Sequence, residues 1–242
     1  MALDTAVILA GGKGTRLRPL TYEIPKALIP MQGKTLLEHH FDLFKKYGIK
    51  NIILSVGYLR DKIKEHFGDG KGFDLNIIYI EENEPLGTAG PLRLANLKKT
   101  VIVENGDDLK DIDIREMYEF HKKNNSTATI ALTQVEDPSK YGVARLDGCK
   151  IQEFVEKPKR GEAPSNLINT GFYILEPAVL ALIPKGRAML ESDVFPNLAK
   201  QGRLFGYVSA GIFLDTGSMD TYKRAQKRSF PKQRDEKEYQ DS

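Results

Sequence analysis

The sequence of 242 residues predicts an α/β fold in which a mainly parallel, mixed central sheet carries helices on both faces. Three observations lead there. The first half alternates short apolar runs with amphipathic stretches, the pattern of strand–helix–strand units. The apolar runs lack the alternation of a half-exposed strand, so both of their faces are buried. Several of them end in a glycine-bearing turn, at the strand end where open α/β sheets bind ligands.

The elements follow in order. Thr5–Ala10 (TAVILA), closed by Gly11-Gly12, is the expected first strand. Thr35–Tyr47 places Leu36, Leu37, His40, Phe41 and Phe44 at helical spacing, and Gly48 ends that helix. Strands are expected at Asn51–Val56, Asn76–Ile80 and Thr100–Val103, with helices at Leu59–Phe67 and Thr88–Ala95 between them. After about residue 126 the chain turns β-rich, with Thr127–Thr133, Gly142–Leu146, Lys150–Val155 and Ile168–Ile174 expected as an antiparallel extension of the same sheet. Pro177–Ile183 and Glu191–Lys200 read as helical, Leu204–Val208 and Gly211–Leu214 as strands, and Ser218–Arg228 as a last helix. No repeat or low-complexity linker intervenes. Residues 1–230 therefore read as one domain, and the highly charged stretch 231–242 as a disordered tail.

Composition narrows the function classes. Thirty-six Lys+Arg against 33 Asp+Glu leave a charge of +3, too little for a nucleic-acid-binding surface. The single cysteine, Cys149, excludes an intramolecular disulfide and a Cys-rich zinc site, and fits a cytoplasmic location. The run Ala6–Ala10 is only five residues long and follows the acidic Asp4, so it reads as a buried strand and not as a secretion signal. No window nears the roughly 20 apolar residues of a membrane span.

The strongest chemical signal is Gly11-Gly12-Lys13-Gly14-Thr15-Arg16-Leu17, directly after the first strand. Glycines there let backbone N–H groups approach a phosphate, and Arg16 adds a bidentate cation. It is neither a dinucleotide fingerprint, because Leu17 stands where the third glycine belongs, nor a P-loop. Lys26, stiffened between Pro25 and Pro30, is a candidate phosphate ligand. Glu84-Pro85-Leu86-Gly87-Thr88-Ala89-Gly90 is another glycine-bearing loop, in which Thr88 can also cap the following helix. Asp107, in Glu104-Asn105-Gly106-Asp107-Asp108, and Asp215, in Phe213-Leu214-Asp215-Thr216-Gly217, each close an apolar run beside a glycine. Two such carboxylates suit Mg²⁺, which takes hard oxygen ligands. Glu156 can accept from sugar hydroxyls and Lys157 can neutralise a phosphate, although a solvated Glu–Lys pair reads the same way.

LAGGKGTRLRPLT, IPKALIP, LGTAGPL, ENGDD, YGVARLD, FVEKP, INTGFYIL and FLDTGSMDTY, in that order from about residue 5 to about 228, resemble the sugar-1-phosphate nucleotidylyltransferases. Within that family, PSKYGVARLD, NLINTGFYILEP and ESDVFPNLA are most similar to mannose-1-phosphate guanylyltransferases. They are also similar to heptose-phosphate guanylyltransferases and to glucose-1-phosphate uridylyl- and thymidylyltransferases. The resemblance implies the Rossmann-like three-layer α/β/α fold of nucleotide-diphospho-sugar transferases. It implies a reaction that joins a nucleoside triphosphate to a sugar 1-phosphate, with release of pyrophosphate.

Leu9, Ala10, Gly11, Gly12, Gly14, Thr15 and Arg16 fall on the family's nucleotide-binding signature loop. Lys26 matches its phosphate-contacting lysine, Gly87 and Thr88 its loop near base and ribose, and Asp107 and Asp215 its magnesium-binding pair. Gly142, Glu156, Lys157 and Asn169 match positions that hold the sugar 1-phosphate. The implied catalytic set is Arg16, Lys26, Asp107 and Asp215, with Mg²⁺ as cofactor and a homo-oligomer as a possible assembly. The sequence departs from the family's pattern at Ala27, where proline or a bulkier apolar residue is usual. It departs again at Phe213–Met219, where the pattern is often W-x-D-I-G-T-P. Two other classes stand beside this one. A non-catalytic sugar-nucleotide-binding subunit would lack the charged ligands, all of which are present. A glycosyltransferase would bind metal through a D-x-D pair such as Asp111-Ile112-Asp113, and would leave the glycine loop without a role.

Overall fold

The computed structural model describes residues 3–228. The expected tail at 231–242 lies outside the described residues. In chain order the strands are β1 (Thr5–Ala10), β2 (Pro30–Met31), β3 (Lys34–Thr35), β4 (Asn51–Val56), β5 (Asn76–Glu81), β6 (Val101–Asn105), β7 (Asp108–Lys110), β8 (Ala128–Gln134), β9 (Gly142–Asp147), β10 (Lys150–Glu156), β11 (Leu167–Leu175), β12 (Leu204–Val208) and β13 (Phe213–Asp215). The helices are α1 (Leu36–Lys46), α2 (Arg60–Phe67), α3 (Gly90–Leu94), α4 (Ile114–Lys123), α5 (Phe195–Lys200) and α6 (Met219–Lys227).

Nine strands form one mixed sheet in the order β5-β4-β1-β6-β11-β8-β12-β10-β9. β5, β4, β1 and β6 are parallel, and β11 reverses direction between β6 and β8. The antiparallel extension expected after residue 126 is therefore present, although β12 runs parallel to β8. β9 also pairs with β11, which curls the far end of the sheet back on itself.

Strand alternation feeds two cores. Ala6 and Ile8 of β1 pack with Ile52, Leu54 and Ile102 under α1, α2 and α4, in a cluster that includes Phe41, Ile63 and Met117. Val7, Val101, Val103, Ile130 and Tyr173 face the opposite side, against Leu92 and the Leu190–Ala199 segment. Helices on both faces thus bury both sides of the central strands, which is why these runs carry no polar alternation. A third, smaller cluster joins Met31, Leu36, Leu109, Leu214 and Ala225. It seats a two-stranded ribbon, β7 against β13, that stands apart from the large sheet.

Several elements differ from expectation. The helix expected at Thr88–Ala95 contracts to Gly90–Leu94, and Ala89, not Thr88, occupies its N-cap without a side-chain bond. The strand expected at Gly211–Leu214 begins at Phe213 and joins the ribbon, with Leu214 opposite Leu109. α4 was not among the expected elements. It buries Ile114, Met117 and His121, and the Asp113 carboxylate accepts from Glu116 N at 2.9 Å. Asp113 of the D-x-D sequence is thus a helix cap, and Ile112 is core. Among the described residues no helix is long and apolar enough to cross a membrane.

Thr35 and Glu38 form a reciprocal capping box at the start of α1, with Glu38 N donating to Thr35 Oγ1 at 3.3 Å. Thr35→Ala should lower unfolding stability by about 1 kcal/mol, read by urea titration with an unchanged slope.

Candidate functional site

β1 lies between β4 and β6, so its carboxyl end opens at the centre of the parallel strands. The chain turns there by way of three glycines. A Cβ on Gly11 would sit 2.5 Å from Glu82 Oε1, and Gly12 faces open space. Gly14 has φ +57°, a left-handed conformation that favours glycine, and a tight turn over Thr15–Leu17 follows it. Buried Leu17 anchors that turn, Thr21 Oγ1 donates to Gly14 O at 2.8 Å, and Arg16 is left exposed at its tip.

Lys26 opens a single helical turn after Pro25, with the small Ala27 buried beneath it. Its Nζ reaches Asp107 Oδ2 at 3.4 Å, while 44 % of the Asp107 side chain stays accessible. The sequence turns into this geometry at Gly106, whose N–H donates to Leu9 O at 3.1 Å and where a Cβ would lie 2.9 Å from Ile8. β6 is thereby pinned to the end of β1 just before the aspartates.

Asp215 comes from 108 residues further along the chain and faces Asp108 across the ribbon. Thr216 fastens the two segments: its hydroxyl donates to Asp107 O at 2.6 Å and its N–H to Asp108 Oδ1 at 3.0 Å. Asp215 Oδ1 accepts from Gly217 N at 2.6 Å, and Oδ2 accepts from the Tyr141 hydroxyl at 3.1 Å. An Arg16 guanidinium nitrogen lies 3.0 Å from where a Cβ on Gly217 would be. Arg16, Lys26, Asp107 and Asp215 are thus brought together at one corner, and Asp108 and Tyr141 join them.

Electrostatics mark this corner. Burial opposes the Asp107 charge, but the nearby Lys26, Lys110 and Arg16 cations outweigh it and hold its carboxyl below the ordinary value. Asp108 goes the other way: burial, and then the Asp107 and Asp215 charges, push it up to about 7. Burial and the Asp215 charge raise the Tyr141 hydroxyl. Crowded carboxylates with an accessible edge suit a divalent cation. Among the described residues no three His, Cys, Asp or Glu side chains form a complete metal-binding group.

The other expected residues have local partners of their own. Glu156 lies across from Gly142, where a Cβ would come within 2.8 Å of Glu156 Oε2. Lys157, with φ +48°, is 66 % exposed and donates to Glu156 Oε1 at 2.7 Å. The solvated pair is thus the arrangement present. Asn169 donates to the Tyr173 hydroxyl at 2.8 Å and accepts from Gly171 N at 2.8 Å. Thr88 does not cap; its hydroxyl donates to Glu191 Oε2 at 2.5 Å and accepts from Leu190 N at 2.8 Å. Close packing accounts for the glycines beside it, since a Cβ on Gly87 would lie 2.3 Å from Ala188 O and one on Gly90 2.8 Å from Leu86 Cβ. Glu82 is a further polar group between the two glycine loops, accepting from Ser55 Oγ at 2.7 Å and Leu86 N at 2.9 Å. Its place directly after β5 was the available signal.

The profile of a family described as Nucleotidyl transferase matches residues 5–230. The mannose-1-phosphate guanylyltransferase catalytic subunit beta of Xenopus tropicalis is 42 % identical over 220 residues, covering 88 % of this chain and 61 % of that protein. The mannose-1-phosphate guanyltransferase of Yarrowia lipolytica is 42 % identical over 225 residues, covering 87 % and 60 %. The chain thus spans about three fifths of the length of the curated relatives it matches. Among solved structures, HddC from Yersinia pseudotuberculosis complexed with GMP-PN superposes with a TM-score of 0.79 at 30 % identity, covering 93 % of this chain and 99 % of that one. A Bacillus anthracis protein provisionally assigned as a glucose-1-phosphate thymidylyltransferase gives 0.84 at 28 % identity, covering 94 % and 97 %.

Thr216→Val keeps the shape of a buried side chain and removes the bond that fastens Asp107 to the Asp215 segment. It should cost about 1–2 kcal/mol of stability by chemical denaturation. A change under about 0.3 kcal/mol would show that the bond does not hold the two segments together.

Proposed function

The chain belongs to the nucleotidyl transferase family, and on that premise we propose that residues 1–230 form one catalytic domain that joins GTP to mannose 1-phosphate, giving GDP-mannose and pyrophosphate. Its fold is that of the nucleotide-diphospho-sugar transferases. The observation that carries the reading is the meeting of Lys26, Asp107, Asp215 and Arg16 at the ends of β1 and β6. The choice of guanine and mannose draws support from relatives at 42 % identity that bear those substrates in their names.

Charge dictates the mechanism. An oxygen of the sugar phosphate attacks the α-phosphorus of GTP in line. The new P–O bond forms as the α–β bridge breaks, and its electron pair leaves with pyrophosphate. A phosphate monoester is largely ionised near pH 7, so no side chain need accept a proton. Both reactants are anions, and the protein's task is to align them and offset their repulsion.

The Gly11–Arg16 turn would cradle the triphosphate, with Leu9 and Ala10 behind it, Gly12, Gly14 and Thr15 at close approach, and Arg16 on the leaving pyrophosphate. Lys26 would meet the α-phosphate. Gly87 and Thr88 border the base, where the Glu82 carboxylate offers the acceptor that guanine's adjacent N–H groups require. Gly142, Glu156 and Asn169 would hold the sugar, and Lys157 would exchange Glu156 for the sugar phosphate. Asp107 and Asp215 would hold Mg²⁺, which supplies charge neutralisation at the reacting phosphates. We place the protein in the cytoplasm, with small-molecule partners only; association into a homo-oligomer is compatible with this reading.

A matrix of five nucleoside triphosphates against several sugar 1-phosphates, read by pyrophosphate release with and without Mg²⁺, tests the assignment. GTP with mannose 1-phosphate should give the highest kcat/KM. A preference for UTP or dTTP with glucose 1-phosphate, or for a heptose phosphate, would replace the substrates but keep the reaction. No release from any pair would end the reading. Asp107→Asn should reduce turnover at least about 100-fold with the fold intact.

A further inference from the structure

The strand that leads into the aspartate turn carries a charged group that the proposed reaction leaves unused. Glu104, next to last in β6, is fully buried. Its neighbours across the sheet, Ile8 and Phe172, are buried as well. Its Oε1 takes two partners: His40 Nδ1 of α1 at 2.8 Å and Lys110 Nζ of β7 at 3.2 Å. Lys110 Nζ also donates to Asn105 O at 3.0 Å. The side chains of His40 and Lys110 are each only 1 % accessible.

Such a group is a weak source of stability. Burying ions costs several kcal/mol each, and apolar side chains of similar volume often serve a core equally well or better. What the group does is mechanical. The ribbon of β7 and β13 makes no strand pairing with the nine-stranded sheet. Lys110 is the last residue of β7, opposite Phe213. By bonding Glu104 and Asn105 together, it ties the far end of β7 back to the end of β6. Asp107 lies between the two tied points, and Asp215 rides on the partner strand. His40 in turn fixes the Glu104 carboxylate from the helix side.

We propose that His40, Glu104 and Lys110 are positioning residues that hold the Asn105–Lys110 segment against the sheet and so set the placement of Asp107 relative to Asp215. This inference rests on the nucleotidylyltransferase reading above. None of the three touches substrate; they act through the backbone of the turn. Removing Glu104 and Lys110 together leaves the net local charge unchanged, and His40→Leu, which leaves the Lys110 cation beside Asp107 in place, separates placement from the loss of that cation.

The test compares the full chain with the variant His40→Leu/Glu104→Leu/Lys110→Met. Mn²⁺ binding is followed by electron paramagnetic resonance in the presence of α,β-methylene GTP, which cannot be cleaved. Thermal midpoint, kcat and both KM values are measured alongside. The variant should fold with a midpoint near that of the parent, bind Mn²⁺ about tenfold more weakly and lose about as much kcat, with the KM for mannose 1-phosphate within about twofold. Parental Mn²⁺ affinity and kcat in the folded variant would overturn the proposal. If the triple variant does not fold, the charge-neutral pair Glu104→Gln/Lys110→Met is judged by the same criterion. A parent protein that releases no pyrophosphate from any substrate pair would instead overturn the reading on which this inference stands.

Discussion

Three aspartates and one lysine set the terms for the rest of this molecule. Asp107, Asp108 and Asp215 crowd one corner of a cleft, and the Lys26 ammonium stands 3.4 Å from the first of them. Neighbouring carboxylates repel wherever water is partly excluded, and the Asp107 and Asp215 charges both act on Asp108. The protein accommodates them unequally: Asp107 is held ionised by its cations, while Asp108 is driven up to about 7. On the proposed reading, a corner with fixed charges of both signs and an accessible carboxylate edge would receive a phosphate chain that arrives with its own cation, its dipoles and charges already in place.

The fold supplies that corner by ending strands in the right places. β1 and β6 are neighbours, and the Gly106 N–H to Leu9 O bond makes them terminate together. The aspartate turn therefore starts level with the glycine turn. β7 and β13 then leave the sheet as a ribbon seated on their own small core of Leu109, Leu214 and Ala225. That separation lets a residue near the carboxyl end of the described chain meet one from its middle, with Thr216 as the fastening.

The sequence made the strands legible where burial left no ambiguity. β1, β4 and β12 begin and end where their apolar runs do, because a strand covered on both faces has a sharp polar boundary. Asp107 and Asp215 were visible because each closes an apolar run beside a glycine. Asp108 and Tyr141 were not, since their part depends on the β7–β13 register and on a contact between residues 74 positions apart. Thr88 had two local readings, cap or ligand, and the structure gives its hydroxyl to Glu191, 103 residues away. α4 was legible and overlooked: Ile114, Met117, Tyr118 and His121 stand at helical spacing behind the capping Asp113. His40 read correctly as a core position of a helix, but a buried partner such as Glu104 is a tertiary fact that no local pattern carries.

The proposed function rests on the corner where Lys26 meets Asp107, so the two side chains should act on GTP as one unit. A double-mutant cycle on kcat/KM for GTP, with Lys26→Ala, Asp107→Asn and the pair, addresses it directly. If the claim holds, the double variant loses little more than the worse single variant, at least about tenfold less than the product of the two losses. Losses that multiply to within about twofold would mean that the two side chains act independently, and would contradict the account.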